Sequence, residues 1–281
     1  KKIKISIYFL FLIVFFKFSS FQNYKIYSKL FYKSLRKKWF KSLFLDYFLH
    51  DLHLNLLKKN NTEFSNIFFN SIAHIQHHYF FNSEIFEENK KNPNWYISQD
   101  DDPLKDALIL FDKILEDYLK IEKQYSILLA TGLRQINYDS SKFYYRLKKH
   151  KKFFSKFGIE VFDTQELMSR DFILNFKNNK ECEKSLKIIS NINTDDNKII
   201  FSDFDVKDNQ LFLTLTFSEE IKNQSITLKN DKIFLKEFVD FVAIKNGMHD
   251  GMGYMYFSNN KNPNILKIHK LKKIITDFYG I

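Results

Sequence analysis

The sequence predicts an α/β fold with a central, mostly parallel sheet flanked by helices and a more antiparallel α+β C-terminal part. Three observations predict it. Apolar runs typical of buried strands lead into polar segments at two distant places, 67–82 and 238–258. A regularly periodic helix at 104–123 precedes a strand at 125–130 and a glycine-bearing turn, the order of a βα-type unit. After residue 138, short strand-like runs follow one another closely, which favours antiparallel pairing.

The composition is that of a globular chain with a basic surface. At 281 residues, 44% hydrophobic and 27% charged, it can form one large domain or two smaller ones. The net charge of +11 favours anionic partners, although the abundance of Lys, Asn, Ile and Phe also indicates A/T-rich codons. Arginine is scarce and no nucleic-acid module is recognisable, so dedicated nucleic-acid binding is not expected. Cys182 is the single cysteine, which excludes an intrachain disulfide.

The N-terminus carries a dense apolar run between lysines. The chain begins Lys-Lys without methionine, so we expect a processed product or a fragment of a longer protein. Ile5 to Phe16 is shorter than the roughly 20 residues that a membrane-spanning helix needs. Two interpretations stay open: a buried core segment of a cytoplasmic protein, or a segment that contacts a membrane or directs export. The run resembles a signal peptide, but no A-x-A-like cleavage site follows it.

The stretch 27–59 is predicted to be helical, and His50 and His53 within it are interpreted as exposed helix histidines rather than metal ligands. A polar segment at 84–102 is a predicted loop or lid. Its Asp100-Asp101-Asp102 run either complements the dipole of the helix that follows or binds a hard cation.

The later elements are predicted from short apolar runs and one helical pattern. They are strands at 172–176, 198–204, 210–217 and 225–228 and a helix at 179–192. We expect a soft boundary near Tyr138, between parts 1–138 and 139–281 of one continuous domain.

The most specific chemical pattern lies in residues 67–82, IFFNSIAHIQHHYFFN. The apolar run is predicted to be a buried strand that ends at Asn70, and ligands collect at the carboxyl ends of strands in open α/β sheets. His74, His77 and His78 follow at i, i+3 and i, i+4 spacings, which place two imidazoles on one helix face. Neutral imidazoles are ligands for divalent metals, so the sequence predicts a metal site here.

A second polar segment, KNGMHDGMGY, follows a predicted strand at 239–244. It holds three of the six glycines, which indicates backbone freedom or a close approach to another group. The pair His249 and Asp250 is interpreted as metal ligands or as a general acid/base. A plain hairpin with a surface histidine is the alternative, because glycine-rich turns commonly serve hairpins.

On the segments NSIAHIQHH and KNGMHDG, the sequence resembles the alkaline phosphatase superfamily, in its branch of type I phosphodiesterase and nucleotide pyrophosphatase-like proteins. Members place an Asp, three residues and a His after one strand, an Asp-His-Gly after a later one, and a lone His in a Gly-flanked loop near the C-terminus. In this chain Asn70 stands where the first Asp would be. His74 stands where its His would be, and His249 looks like the late lone His.

The resemblance implies a divergent, N-terminally incomplete, metal-dependent phosphodiesterase or phosphohydrolase with zinc as the expected ion. Its substrate would be a phosphate-ester small molecule or glycan precursor of bacterial surface-polysaccharide metabolism. The implied metal ligands are His74 and His249, with His77, His78 and Asp250 to complete the shell. Asn70 or Gln76 would orient polar groups, and Arg134 would balance phosphate charge.

Three departures from that pattern leave a second function open. Asn70 replaces a carboxylate, the turn after Ala130 reads Thr131-Gly132-Leu133 instead of Asp-His-Gly, and the strand that carries the nucleophile would precede residue 1. Each loss removes charge from a site meant for two dications. The alternative is a non-catalytic member or fragment that binds a sugar phosphate or a protein partner. Catalysis is expected only if the parent protein supplies the nucleophile segment.

Overall fold

The structure, a computed structural model, describes residues 5–60, 62–86, 90–228, 231–259 and 264–281, with only the backbone for Ile5 and Ser6. It shows a mixed α+β fold in which an N-terminal helical part is followed by several small antiparallel sheets. The first four lysine-rich residues and positions 87–89 of the predicted lid lie outside the described residues.

The described helices in chain order are α1 (Ile5–Phe18), α2 (Tyr24–Ser34), α3 (Phe40–Lys59), α4 (Ser71–Tyr79), α5 (Pro103–Leu119), α6 (His150–Ser155), α7 (Asn179–Ile189) and α8 (Leu271–Tyr279). The strands are β1 (Leu128–Ala130), β2 (Arg134–Leu147), β3 (Asp163–Glu166), β4 (Asp171–Asn175), β5 (Phe201–Lys207), β6 (Gln210–Leu215), β7 (Ser225–Leu228), β8 (Asp231–Phe234), β9 (Val239–Asp250), β10 (Met252–Phe257) and β11 (Asn264–Lys267). They form sheets with the orders β1-β10-β11, β2-β9, β3-β4-β6-β5 and β7-β8.

The predicted central parallel sheet is wrong. The four sheets have two to four strands each, and the described part of the chain contains no parallel sheet. A parallel pair needs a long crossover connection, usually a helix, between its two strands. Here α1 to α5 all precede the first strand, so these helices cannot serve as crossovers, and the strands pair through turns and long antiparallel returns.

The chain folds as two compact units, and the second is inserted into the first. The first comprises Lys1–Asn137 and Asn246–Ile281, and the second comprises Tyr138–Lys245. Both boundaries fall inside strands, because β2 and β9 each continue from one unit into the other. The predicted boundary near Tyr138 lies at the first of these points. The glycine-rich segment after Lys245 belongs to the same unit as the histidine cluster, whereas the sequence placed the two in separate parts.

Side chains of α2 to α5 form the core of the first unit. Helix α5 shows the predicted periodicity and buries Leu104, Ala107, Leu110, Ile114 and Tyr118. The Asp102 side chain caps it by accepting the Lys105 N–H at 2.9 Å, while Asp101 pairs with Lys37. Each fully buried large side chain contributes about 1.5–3 kcal/mol, so this face holds α5 against its neighbours.

An aromatic cluster forms the core of the second unit. Phe172 of β4 and Phe201 of β5 lie on the covered face of the four-stranded sheet, and Phe153 and Phe154 of α6 pack against them. The single cysteine, Cys182 of α7, is fully buried here, and burial raises the pKa of its thiol. A buried thiol with a raised pKa is inert.

The apolar run at the N-terminus forms helix α1, and its first half is not a core segment. The side chains of residues 7–13 are exposed, whereas Phe15 packs against the rings of Tyr27 and Phe48 with centroids 4.9 and 5.3 Å away. No single helix of the described residues has both the length and the apolar composition to cross a bilayer. Ile7–Phe18 and Phe21–Ser34 meet both criteria only together, with a bend of 110° between them.

Two further expectations differ from the structure. Residues 67–69 form no strand; Ile67 and Phe69 pack on the core while Phe68 between them is exposed, and this extended segment has no pairing strand.

His50 is fully buried rather than exposed, because α3 is covered by α5 on that side. His53 is satisfied by the hydroxyls of Tyr118 and Ser65, at 2.8 and 2.7 Å.

Burial of two histidines predicts that the protein loses stability in mild acid. Desolvation lowers the pKa of His50 and of His150, because burial penalises the charged imidazole. Below about pH 6.5 the unfolded chain therefore binds more protons than the folded one, and the stability that is present above this pH falls as the pH is lowered. Denaturant unfolding should show a lower free energy of unfolding at about pH 5 than at about pH 7.5.

The substitution His150→Phe should reduce that difference, since Phe fits beside the Phe172 ring and cannot be protonated. The surface substitution His269→Phe is the control and should leave the difference unchanged. An equal pH dependence in His150→Phe and the unsubstituted protein would contradict the assignment.

Candidate functional site

A buried carboxylate fixes the start of α4, the helix that carries the histidine cluster. Asp46 of α3 is 4% exposed, and its Oδ2 accepts the backbone N–H of Asn70 at 3.1 Å and of Ser71 at 2.8 Å. The first N–H groups of a helix have no partners inside it, and a carboxylate there also complements the helix dipole. The apolar run before Asn70 therefore leads into a helix that is capped from its neighbour, instead of ending as a strand.

His77 in the last turn of α4 faces His249 of β9. Their Nε2 atoms lie 3.1 Å apart, and the ring planes meet at 87°. The Nδ1 atom of His77 is 2.8 Å from the carbonyl oxygen of Gly247. Because a carbonyl oxygen only accepts, Nδ1 carries the proton and Nε2 presents a lone pair when the ring is neutral. His249 is exposed, so this pair of imidazoles is accessible from solvent.

Gln135 of β2 completes a group that we call the imidazole-pair site: His77, His249, Gln135 and Gly247. The amide Nε2 of Gln135 lies 2.9 Å from His249 Nδ1 and 3.2 Å from His77 Nε2. Gln135 thus donates to His249 Nδ1, which leaves the proton of His249 on Nε2, directed at His77. The Oε1 atom of Gln135 is buried and accepts no hydrogen bond from the described residues. A buried acceptor without a donor costs about 1–3 kcal/mol.

The absence of a side chain at Gly247 allows β9 to approach α4 and β2 closely. A Cβ at this position would lie 3.2 Å from the Gln76 carbonyl oxygen and 3.3 Å from Gln135 Oε1. At Gly253 the constraint is stronger, because a Cβ would meet the Gly132 carbonyl oxygen at 2.5 Å. The expectation of a close approach in the glycine-rich segment therefore describes Gly247 and Gly253, while Gly251 is surrounded by open space.

A buried network of amides holds β9 in this position. Asn92 and Asn246 exchange two side-chain hydrogen bonds of 2.8 and 2.9 Å, and Asn92 also donates to Asn82 Oδ1 at 2.8 Å. Asn246 Oδ1 accepts the Phe81 N–H, and Asn92 donates to the His78 carbonyl. The network ties the C-terminal end of α4 and the segment that follows it to the C-terminal half of β9, which carries His249.

The other predicted ligands do not join the imidazole-pair site. The rings of His74 and His78 lie beside each other with centroids 4.6 Å apart, and His78 is buried next to the Tyr96 hydroxyl. Asp250 pairs with Arg134 at 2.6 Å. Successive side chains of a strand point to opposite faces, so this ion pair lies on the other face from Gln135 and His249.

The predicted orienting residues take backbone roles. Asn70 is the N-cap residue of α4, and its backbone N–H, not its side chain, makes the contact with Asp46. Gln76 approaches Gly247 through its carbonyl oxygen. Neither side chain is placed by these contacts in the imidazole-pair site.

The imidazole-pair site fits a divalent metal at two coordination positions. Two imidazole nitrogens, each roughly 2.0–2.1 Å from one Zn²⁺ in tetrahedral geometry, are separated by about 3.3–3.4 Å. The Nε2 atoms of His77 and His249 are hydrogen-bonded at 3.1 Å and would need to move apart slightly to hold an ion, and the Gly247 carbonyl is the kind of partner that orients a metal-bound imidazole. Among the described residues, no group of three or more His, Cys, Asp or Glu side chains is suited to a metal ion. Among the described residues, His77 and His249 are thus the side chains that could hold a metal here.

Sequence reasoning missed Gln135, Asn92 and Asn246, although each has a polar side chain beside an apolar run. Gln135 was part of a predicted turn and Asn92 of a predicted lid, and their contacts with His249 and Asn246 join positions more than 100 residues apart. Their positions follow from the return of β9 onto α4, which no local pattern encodes. The one available signal was the concentration of glycines after residue 246.

Comparisons of the chain with protein-family models, with curated proteins and with solved structures find no match. The resemblance to the alkaline phosphatase superfamily therefore stays a prediction, and the site must be interpreted from its own geometry.

Replacement of Asn246 by Ala should loosen β9 from α4. The variant loses the acceptor of the Phe81 N–H and the partner of Asn92, and leaving buried polar groups unsatisfied costs about 1–3 kcal/mol. We expect a reduction of this size in the free energy of unfolding and faster amide exchange in 80–82. A variant as stable as the unsubstituted chain would show that the network does not hold the strand.

Proposed function

We propose that this chain binds a divalent transition-metal ion through the Nε2 atoms of His77 and His249 and acts with it on a phosphate ester. The observation that carries the proposal is the 3.1 Å separation of these two nitrogens, together with the hydrogen bond from His77 Nδ1 to the Gly247 carbonyl oxygen. Imidazole nitrogens are common protein ligands of zinc. His77 also lies in the last turn of α4, where the helix dipole favours a positive charge.

Metal binding requires a change of tautomer at His249, and Gln135 can support it. For Nε2 of His249 to bind a metal, its proton must move to Nδ1, which then needs an acceptor. Rotation of the Gln135 amide by half a turn would bring Oε1 to that position. The same rotation would give the buried Oε1 the donor that it lacks among the described residues. Gln135 is therefore proposed as the positioning residue for His249.

The proposed substrate class comes from the two segments that resemble the phosphodiesterase branch, and the exposure of His249 supports it because the imidazole is accessible from solvent. A bound divalent ion would polarise a phosphoryl oxygen. The exposed side of His249 leaves room for such a group. Arg134 forms an ion pair with Asp250. In this proposal it neutralises the charge of a phosphate only after that ion pair breaks.

Binding without turnover is the second candidate, and the position of Ser71 favours it. Ser71 is the nearest candidate nucleophile in the sequence, yet it is buried at the first turn of α4. At 1.5 Å per helical residue it lies about 9 Å along the axis from His77. A nucleophile needs a base within hydrogen-bond reach, which the two imidazoles do not provide for Ser71.

Titration with Zn²⁺ and Mn²⁺ by calorimetry tests the metal. The unsubstituted chain should bind one ion, and His77→Ala or His249→Ala should weaken binding about tenfold or more, as expected when one of two protein ligands is lost. His74→Ala, one turn earlier on the same helix, is the matched control and should bind normally. An equal loss in His74→Ala, or no binding by the unsubstituted chain, would refute the assignment. Hydrolysis of an aryl phosphate diester by the metal-loaded chain then separates turnover from binding alone.

Gln135→Glu should increase metal affinity, because a carboxylate accepts the Nδ1 proton of His249 and raises the basicity of the ligating ring. Gln135→Leu should decrease it, since the proton on Nδ1 then has no acceptor. Substitution of a residue that hydrogen-bonds to a metal ligand changes metal affinity by about 10–100-fold. If both variants bind Zn²⁺ with the affinity of the unsubstituted chain, Gln135 does not position His249.

A further inference from the structure

The net charge of the protein resides entirely in its first 45 residues. This segment contains eleven Lys and Arg and no Asp or Glu, since the first acidic residue is Asp46. The whole chain has 44 basic and 33 acidic residues, so 46–281 holds 33 of each and is neutral. Codon bias acts on the whole chain and does not explain this concentration. A strongly basic segment next to exposed apolar side chains is the composition of a surface for anionic lipid.

The apolar side chains of that segment are exposed on all sides of the helix. Residues 7–13 of α1 are each exposed, and even Phe11, which touches the Phe48 ring, is 38% exposed. At 100° per residue these seven side chains encircle the helix axis. Phe21 at the bend after α1 and Phe31 of α2 add exposed aromatic rings, at 84% and 59%.

The second half of α1 is firmly attached, so the exposed half has a fixed direction. Asp51 is buried and accepts hydrogen bonds from Ser20 Oγ at 2.6 Å and from the Tyr27 hydroxyl at 2.9 Å. Asn55 donates to the Phe18 carbonyl at 2.7 Å at the end of α1. The projecting helix is thus preorganised before it meets a partner.

We infer that residues 7–13 of α1 insert into the interfacial region of an anionic lipid leaflet, with the basic side chains around α2 on the headgroups. Seven helical residues extend about 10 Å, which matches the depth to which interfacial helices are buried. The described helix has 14 residues, fewer than the roughly 20 that span the hydrocarbon core. Lys17, Lys25 and Lys29 are exposed and available to lipid phosphates.

A lipid surface accounts for this segment better than a protein groove does. A groove covers one face of a helix and leaves polar residues on the other, whereas residues 7–13 have no polar face. The absence of any acidic residue before Asp46 gives charge complementarity to anionic headgroups along the whole segment. The inference is independent of the metal proposal, because it involves no residue of the imidazole-pair site.

Co-sedimentation with vesicles tests the inference on the full chain. Binding to vesicles of phosphatidylcholine and phosphatidylglycerol at about 7:3 should exceed binding to phosphatidylcholine alone by about tenfold, and should fall as salt is raised. The double substitution Phe9→Asp with Leu12→Asp should reduce binding about tenfold or more. The control Ile109→Asp changes an equally exposed apolar residue on α5 and should have little effect.

Insertion is measured with an environment-sensitive dye on Phe9→Cys, compared with Ile109→Cys. Only the dye at position 9 should shift to the blue with anionic vesicles, and the fully buried Cys182 gives no competing label. Folded protein that binds no vesicles overturns the inference, as does an equal loss of binding in Ile109→Asp. The protein could also bind no vesicles and form a dimer that the double substitution dissociates. That result would assign the apolar surface to contact with a second copy instead.

Discussion

The hydrogen bond from His77 Nδ1 to the Gly247 carbonyl exists because β9 runs against α4 with no side chain between them. Any Cβ at position 247 would press on the Gln76 carbonyl and on Gln135 at once. The imidazole pair, the orientation of Gln135 and the register of the Asn92 and Asn246 amides all follow from this one approach. Three of the six glycines in the chain lie within the seven residues 247–253, at the end of this strand and just after it.

Buried carboxylates connect the helices of the first unit in a way that hydrophobic packing alone would not. Asp46 satisfies the first N–H groups of α4, and Asp51 binds the backbone and side chain of Ser20 together with the Tyr27 hydroxyl. Each carboxylate is buried and accepts at least two hydrogen bonds, which offsets part of the cost of removing it from water. Packing allows helices to slide past one another, whereas these directed contacts fix where α4 and α2 begin.

Local patterns in the sequence predicted the helices well and the sheets poorly. The periodicity of α5 matches the structure because burial repeats along that helix, and the strand predicted at 225–228 is also present. The parallel sheet was wrong because apolar runs such as 67–69 look like buried strands whether or not a pairing strand exists. The two histidine segments could be singled out by composition, but only the structure shows that His77, and not His74, faces His249. Which residue of a helical cluster meets a distant strand depends on the rotation of α4, and that rotation is set by Asp46 and Asn246 from elsewhere in the chain.

The second unit departs from the first within β2 and returns within β9, which has a consequence for engineering of the chain. Ile136 and Gly247 are backbone neighbours, since a Cβ on the glycine would lie 3.4 Å from the Ile136 carbonyl oxygen. The two ends at which the inserted unit departs and returns are therefore adjacent, and a tight reversal of a few residues would reconnect them. Closely spaced ends of this kind allow a domain to be inserted into another domain, or removed from it, without a change in the path of the surrounding chain. The first unit carries the whole imidazole-pair site, so a shortened chain without 138–245 would retain all four of its residues.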